Sequence, residues 1–144
     1  MSFPRYPKYK DSGVEWLGPL PEHWDVKPLK HVAAIDSCGS YGVEPEDAEI
    51  ILPVATTAQI DSNGHFEVEQ MPQRGFVPAE VKRYGCSDGD ILVVKSSGSA
   101  TNIISGKAGL VEESTPRFVF SNFLMRIRPV RNLAFPKFIY ALLR

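Results

Sequence analysis

Apolar and polar positions along the chain form short runs, which predicts a series of short strands. The runs that predict strands cover residues 50–54, 65–69, 90–95, 107–112 and 118–128. The last run changes parity at Asn122, which indicates a β-bulge or a break. Asn63-Gly64 separates the first two runs and is a strong hairpin signal. The pattern therefore predicts a sheet of short strands.

Helical signals are few and short. A short helix is predicted after Pro28, where apolar residues stand at i, i+3 and i+4. Residues 78–84 predict one or two helical turns that end at Gly85. Another helix is predicted from Pro136. The first 24 residues are rich in proline, glycine and aromatics, so we expect an extended arm. The fold class expected is α/β (α+β), with a twisted, mainly antiparallel sheet and a few short helices.

Length and composition indicate one ordinary globular domain. The chain has 144 residues, of which 43% are hydrophobic and 23% are charged. Its longest apolar run is far shorter than a membrane span requires, and the N-terminal segment is charged and lacks the apolar region of a secretory signal. The expected location is therefore the cytoplasm. Cys38 and Cys86 are too few for a disulfide framework and are expected to be reduced and structural.

The charge balance bears directly on possible partners. The formal net charge is −1 and the sequence pI is about 6.3, whereas DNA-binding domains are often strongly basic. Two explanations would reconcile this charge with DNA binding. The basic residues could be gathered on one face, or partner subunits could supply much of the contact to phosphates.

Motifs for catalysis, metals and cofactors are missing or lie in the wrong context. The glycine-rich segment before Lys107 does not match a nucleotide-binding P-loop, and the three histidines have no zinc-ligand spacing. Glu80-Val81-Lys82 matches the Glu-x-Lys of some nucleases, with Asp61 before it, but it falls in predicted helical turns where the two side chains would diverge. We expect no enzymatic activity and no cofactor or metal.

The segment from Gly89 to Ser99 is the most informative chemically. A buried strand ends at Lys95 and enters a run of small hydroxyl residues and a glycine. Such a loop can bring backbone N–H groups, hydroxyls and a positive charge to a phosphate or a base edge.

Four motifs resemble the target recognition domain of specificity (S) subunits in type I restriction–modification systems. They are GDIL at 89–92, GKAGLV at 106–111, SGVEWLG at 12–18 and PEHW at 21–24. Residues 121–129 and 135–140 also resemble the last strand of that domain and the start of its closing helix. The match is weakest over residues 37–73, where family members with different DNA targets would be expected to differ.

The resemblance implies a non-catalytic protein that recognises one half of a bipartite DNA sequence. Residues 1–134 would be the target recognition domain, with 1–24 as its arm, and 135–144 would begin a truncated spacer helix. Its partners would be double-stranded DNA and the modification (methyltransferase) and restriction subunits. S-adenosylmethionine, Mg²⁺ and ATP would belong to those partners.

Candidate DNA contacts are polar and basic residues in loops or at strand ends, because such side chains bind base edges and phosphates. They are Thr56, Thr57, Gln59, Gln73, Arg74, Lys95, Ser96, Ser97, Ser99, Thr101 and Asn102.

Two other classes of function remain open from the residues. A protein–protein interaction or anti-restriction module could keep this fold without binding DNA, and the near-neutral charge favours it. A small hydrolase or nuclease would require acidic residues clustered in a pocket.

Overall fold

The computed structural model describes residues 5–96, 98–99 and 102–144, with the backbone alone at 47, 98–99 and 102–103. The chain divides into two compact units, Met1–His31 and Val32–Arg144.

The first unit is built on an antiparallel pair of strands, β1 (Tyr9–Asp11) and β2 (Pro19–Pro21). The connection between them contains two glycines with positive φ, Gly13 and Gly18, a conformation that side chains with a Cβ rarely adopt. The expected arm therefore folds back on itself. Four rings contact one another within this unit: those of Tyr6, Tyr9, His23 and Trp24.

The second unit contains the remaining strands and both α-helices of the described chain. The strands are β3 (Ala33–Asp36), β4 (Ile50–Ala55), β5 (Gln73–Phe76), β6 (Ile91–Val94), β7 (Gly98–Ser99), β8 (Asn102–Ile103), β9 (Ala108–Leu110), β10 (Val119–Phe120) and β11 (Leu124–Pro129). The helices are α1 (Pro78–Tyr84) and α2 (Pro136–Leu143).

Two sheets contribute to a shared hydrophobic cluster. The larger sheet has the antiparallel order β3-β11-β6-β9, and the smaller has the order β10-β4-β5, in which β4 and β10 run parallel. Leu92 and Leu124 from the larger sheet and Ala55 and Phe120 from the smaller lie in the same buried cluster. Strands β7 and β8 form a separate antiparallel pair. The expected α+β class is confirmed, with the strands divided among several sheets.

The break expected at Asn122 is confirmed. Strand β10 ends at Phe120 and β11 begins at Leu124, and the turn between them is closed by a hydrogen bond from the Leu124 amide to the Ser121 carbonyl of 3.1 Å. The helical turns expected at 78–84 are also confirmed. Proline opens α1, and the Gly85 amide bonds back to the Val81 carbonyl.

Two predicted elements are wrong. Residues 65–69 do not form a strand, because Asp61 accepts hydrogen bonds from the amides of Asn63 and His65, both 2.8 Å, and so tightens the turn. The chain then enters a 3₁₀ helix, Val68–Gln70, that points Val68 into the core. The bond from the His65 amide is the main reason that the pKa of Asp61 lies below its usual value.

The helix expected after Pro28 is only the 3₁₀ turn Leu29–His31. The apolar residues that follow it belong to a strand instead, because the Val32 carbonyl accepts a hydrogen bond from Val130 and Ala33 pairs with Pro129 in β11. An apolar pattern this short does not distinguish a helix from the end of a strand.

An ionic network joins β3, β11 and the residue before β6 to the end of α1, with Arg126 and Asp90 as its buried members. Arg126 is 4% exposed, bonds Asp36 at 2.6 Å and donates to the carbonyls of Arg83 and Gly85. Asp90 is 1% exposed and accepts two bonds from Arg128, at 2.6 and 2.7 Å. These contacts keep both arginines in fixed positions on β11.

Burial determines the state of the neighbouring thiol. Burial raises the pKa of Cys86, and the nearby Asp90 carboxylate raises it further. Cys86 therefore stays a protonated, structural thiol, while Cys38 is exposed.

Candidate nucleic-acid interface

Several candidate residues meet where strands of both sheets end. The Ser121 amide bonds the Ala55 carbonyl at 2.9 Å, and the Lys95 amide bonds the Phe123 carbonyl at 3.1 Å. The turn at 121–123 thus joins the loop after β4 to the loop after β6. We call this region the strand-end surface and define it by Thr56, Lys95, Ser96, Asn122 and Phe123.

The loop after β4 is held by its own side chains. The Thr56 hydroxyl donates to Gln59 Oε1 at 2.7 Å and accepts from the Ala58 amide, while the Thr56 amide also donates to Gln59 Oε1. Gln59 donates in turn to the Gln70 carbonyl at 3.5 Å. This reciprocal cap fixes the 3₁₀ helix Thr57–Gln59. Thr56, Thr57 and Gln59 therefore have a local structural role, and each is half-buried.

Lys95 and Ser96 stand at the end of β6 with both side chains exposed. The Lys95 backbone is anchored by Phe123, and within the described residues its ammonium group has no ion pair. Ser99 and Asn102 face each other across the β7–β8 pair, where the structure describes only their backbone. Ser97 and Thr101 lie outside the described residues.

Gln73 and Arg74 lie on β5, at an edge of the smaller sheet. Gln73 pairs with Pro53 and is exposed, and Arg74 pairs with Leu52. The Arg74 guanidinium stacks over the Tyr41 ring and bonds Glu44. These two residues form a second group, and no described contact joins it to the strand-end surface.

Several basic residues have partners within the protein. Arg126 and Arg128 belong to the ionic network, and Arg131 pairs with Asp88 at 2.6 Å. Lys107 donates to the Ile60 carbonyl. These contacts stabilise the fold and leave the side chains of Arg128 and Arg131 42% and 66% exposed.

Among the described residues, no group of three or more His, Cys, Asp or Glu side chains is placed to hold a metal ion. Glu80 lies on α1, where it accepts from the Val77 amide and from the Ser40 hydroxyl, so its carboxylate has a capping role. In the same part of the chain no helix has the length and apolar character needed to cross a membrane.

Sequence reasoning missed three exposed residues. Asn122 and Phe123 occupy the middle of the strand-end surface, and the parity change was the only signal near them. Tyr41 supports Arg74 from a distant loop, for which the sequence holds no signal.

Comparison with known proteins identifies a shared fold. No family model matches the chain, and no curated protein does. Five solved chains match, and one of them is the crystal structure of an HsdS subunit from Thermoanaerobacter tengcongensis. That match has a TM-score of 0.58 and 16% sequence identity, and it covers 94% of this chain and 30% of the HsdS chain. At this identity the likeness shows a common fold, and this chain spans less than a third of that subunit's length.

Proposed function

We propose that this chain recognises one half of a bipartite DNA target, as the target recognition domain of a type I specificity subunit. One observation carries the proposal: nearly the whole chain shares the fold of part of an HsdS subunit, HsdS being the specificity subunit of such systems. The sequence motifs at 12–24, 89–92 and 106–111 point to the same family. The proposed role is non-catalytic, since recognising a DNA sequence requires only binding contacts with bases and phosphates.

The strand-end surface supplies suitable chemistry for such contacts. Lys95 carries a positive charge that a phosphate oxygen attracts. Ser96 and Asn122 offer hydrogen-bonding groups for base edges, and the half-exposed Phe123 ring fits the methyl group of thymine. Four further candidates, Ser97, Ser99, Thr101 and Asn102, belong to the segment that follows Lys95 and are proposed to act with it.

Partner subunits complete this function. Because the chain has a net charge of −1 and pairs many of its basic residues internally, we infer that modification and restriction subunits supply much of the phosphate contact and all of the chemistry. From the family resemblance we assign residues 1–134 to recognition and 135–144 to a spacer helix, to which α2 would belong. The proposal places the complex in the cytoplasm.

Selection from a pool of random duplex DNA, at low and at physiological salt, tests the proposal. We expect the chain to enrich one short motif, and Lys95→Ala to weaken retention about equally for all sequences, because a phosphate contact carries no sequence information. Lys82→Ala is the matched control, since Lys82 is exposed on α1.

The result against the proposal is a pool without an enriched motif, both for the chain alone and after addition of modification subunits. Retention that ignores sequence and disappears with salt would indicate phosphate attraction only. A protein–protein interaction or anti-restriction module of this fold is the second candidate, and the internal pairing of Arg126, Arg128 and Arg131 favours it. It predicts binding to modification subunits without binding to DNA.

A further inference from the structure

Arg74 is held rigidly at the edge of the smaller sheet. Its Nε donates to the Tyr41 carbonyl at 3.3 Å, and its Nη1 donates to Glu44 Oε1 at 2.5 Å. The guanidinium carbon lies 4.7 Å from the centre of the Tyr41 ring. The Arg74 side chain is 16% exposed, whereas that of Glu44 is 67% exposed. An arginine fixed in this way loses little further entropy when it binds a ligand.

The loop that carries Tyr41 and Glu44 is fastened to β5. Val43 and Gly75 exchange two backbone hydrogen bonds, each 2.9 Å. Gly42 has a φ of 68°, and a Cβ there would collide with the Gly75 carbonyl and lie 2.8 Å from the Phe76 ring. The loop therefore keeps Glu44 beside Arg74 at a set distance.

Both side chains keep unused hydrogen-bonding capacity. A guanidinium has five N–H groups, and two of those in Arg74 are used. Among the described residues, neither its Nη2 nor Glu44 Oε2 has a partner. Arg74 and Glu44 thus present donor, donor and acceptor groups next to one another.

That order is the complement of one base pair. In the major groove a G·C pair presents N7 and O6 of guanine as acceptors, followed by the N4 amino donor of cytosine, and an A·T pair presents a different order. We propose that Arg74 and Glu44 recognise a G·C pair, with Arg74 donating to guanine N7 and O6 and Glu44 accepting from cytosine N4. This inference rests on the proposed function and names one base pair of the target.

The selection from random duplexes, repeated with variants, tests it. We expect the enriched motif to contain a fixed G·C pair that becomes degenerate in Arg74→Lys and in Glu44→Gln, while its other positions stay fixed. Lysine cannot form the two parallel bonds, and the amide introduced by Glu44→Gln places a donor within reach of cytosine N4. Matched controls are Arg83→Lys, since Arg83 also stacks on a tyrosine ring, and Glu46→Gln, which changes another exposed acid of the same loop.

Base analogues test the same contacts without changing the protein. Replacing the guanine by 7-deazaguanine removes N7, and we expect at least about a tenfold loss of affinity in the wild type. The same replacement should have little effect in Arg74→Lys, in which the bidentate contact is already lost. A thermal melting curve checks whether Arg74→Lys is folded. If it is not, Glu44→Gln alone tests the proposal.

The outcomes separate this inference from the proposed function. An enriched motif whose every position is unchanged in both variants would overturn the role of Arg74 and Glu44 and leave DNA recognition standing. A pool without sequence preference, with or without modification subunits, would overturn both.

Discussion

Asp90 is a buried carboxylate that supports the strand-end surface. It receives two hydrogen bonds from Arg128 and lies 4.0 Å from the Arg126 guanidinium. Its pairing with Arg128 is the main reason that the arginine pKa lies above its usual value. Charges that are removed from water are tolerated only when they are paired in this way. Asp90 therefore holds β6, and with it Lys95, in register with β11.

Asp90→Asn should destabilise the second unit by about 1.5–3 kcal/mol, because it weakens the charge-assisted hydrogen bonds from Arg128, while Arg126 keeps its pairing with Asp36. Urea unfolding followed by circular dichroism measures the change. Asp88→Asn is the control, because it breaks the more exposed pair with Arg131 and should cost at most about 1 kcal/mol. Equal losses for the two variants would show that the Asp90 network is not stabilising in the way its geometry indicates.

At the scale of single elements, local signals predicted some parts of the fold and failed for others. Strand β6 was predictable because four consecutive apolar residues are all buried, and α1 because a proline and a glycine mark its ends. The segment 65–69 was mispredicted because its alternation arises from two inward side chains, Phe66 and Val68, on a looped chain. Nothing local distinguishes that pattern from a strand.

In the candidate site, too, the sequence predicted some residues and not others. The loops after β4 and β6 were predictable because polar residues directly follow apolar runs. Pairing between segments far apart in sequence determines the positions of Asn122, Phe123 and Tyr41. No periodicity in the sequence predicts that pairing.

The turn at Gly64 provides a prediction at this scale. Gly64 has a φ of 82°, and a Cβ there would collide with the Tyr140 hydroxyl on α2 and lie 2.8 Å from the Ala108 carbonyl. Gly64→Ala should therefore destabilise the protein by about 2–3 kcal/mol, more than the roughly 1 kcal/mol that a positive φ alone costs. The measurement is the shift of the urea midpoint.

Gly106→Ala is the matched control, since Gly106 has a φ of 88° and open space around it. If both alanine variants lost the same stability, the contact between this turn and α2 would be unimportant. Tyr140→Phe in the Gly64→Ala background should recover part of the loss, because it removes the colliding oxygen.

Within the second unit, the buried cluster shared by both sheets makes them depend on each other. Phe120 is fully buried, stacks beneath the Arg126 guanidinium at 5.0 Å and belongs to the cluster that contains Leu92 and Val94 of β6. Any perturbation of this ring should therefore reach both sheets.

Phe120→Ala should cost about 3–5 kcal/mol and speed amide exchange in β4 and in β6 together. Hydrogen–deuterium exchange with mass spectrometry measures both strands in one experiment. Phe135→Ala is the control, because that ring is 79% exposed and its loss should change stability by about 0.5 kcal/mol or less. Faster exchange confined to one sheet would show that the sheets unfold separately.

The parallel pairing of β4 with β10 has a consequence for the nascent chain. Ala55 bonds across to a strand that the ribosome produces only much later, after β5, α1 and β6 to β9. The entropy lost in closing so long a loop comes before the stabilisation from strand pairing, so such pairs form slowly. During synthesis, the edge of β4 that pairs with β10 therefore stays without a strand partner. The second unit reaches its stable form only after Phe120 has left the ribosome.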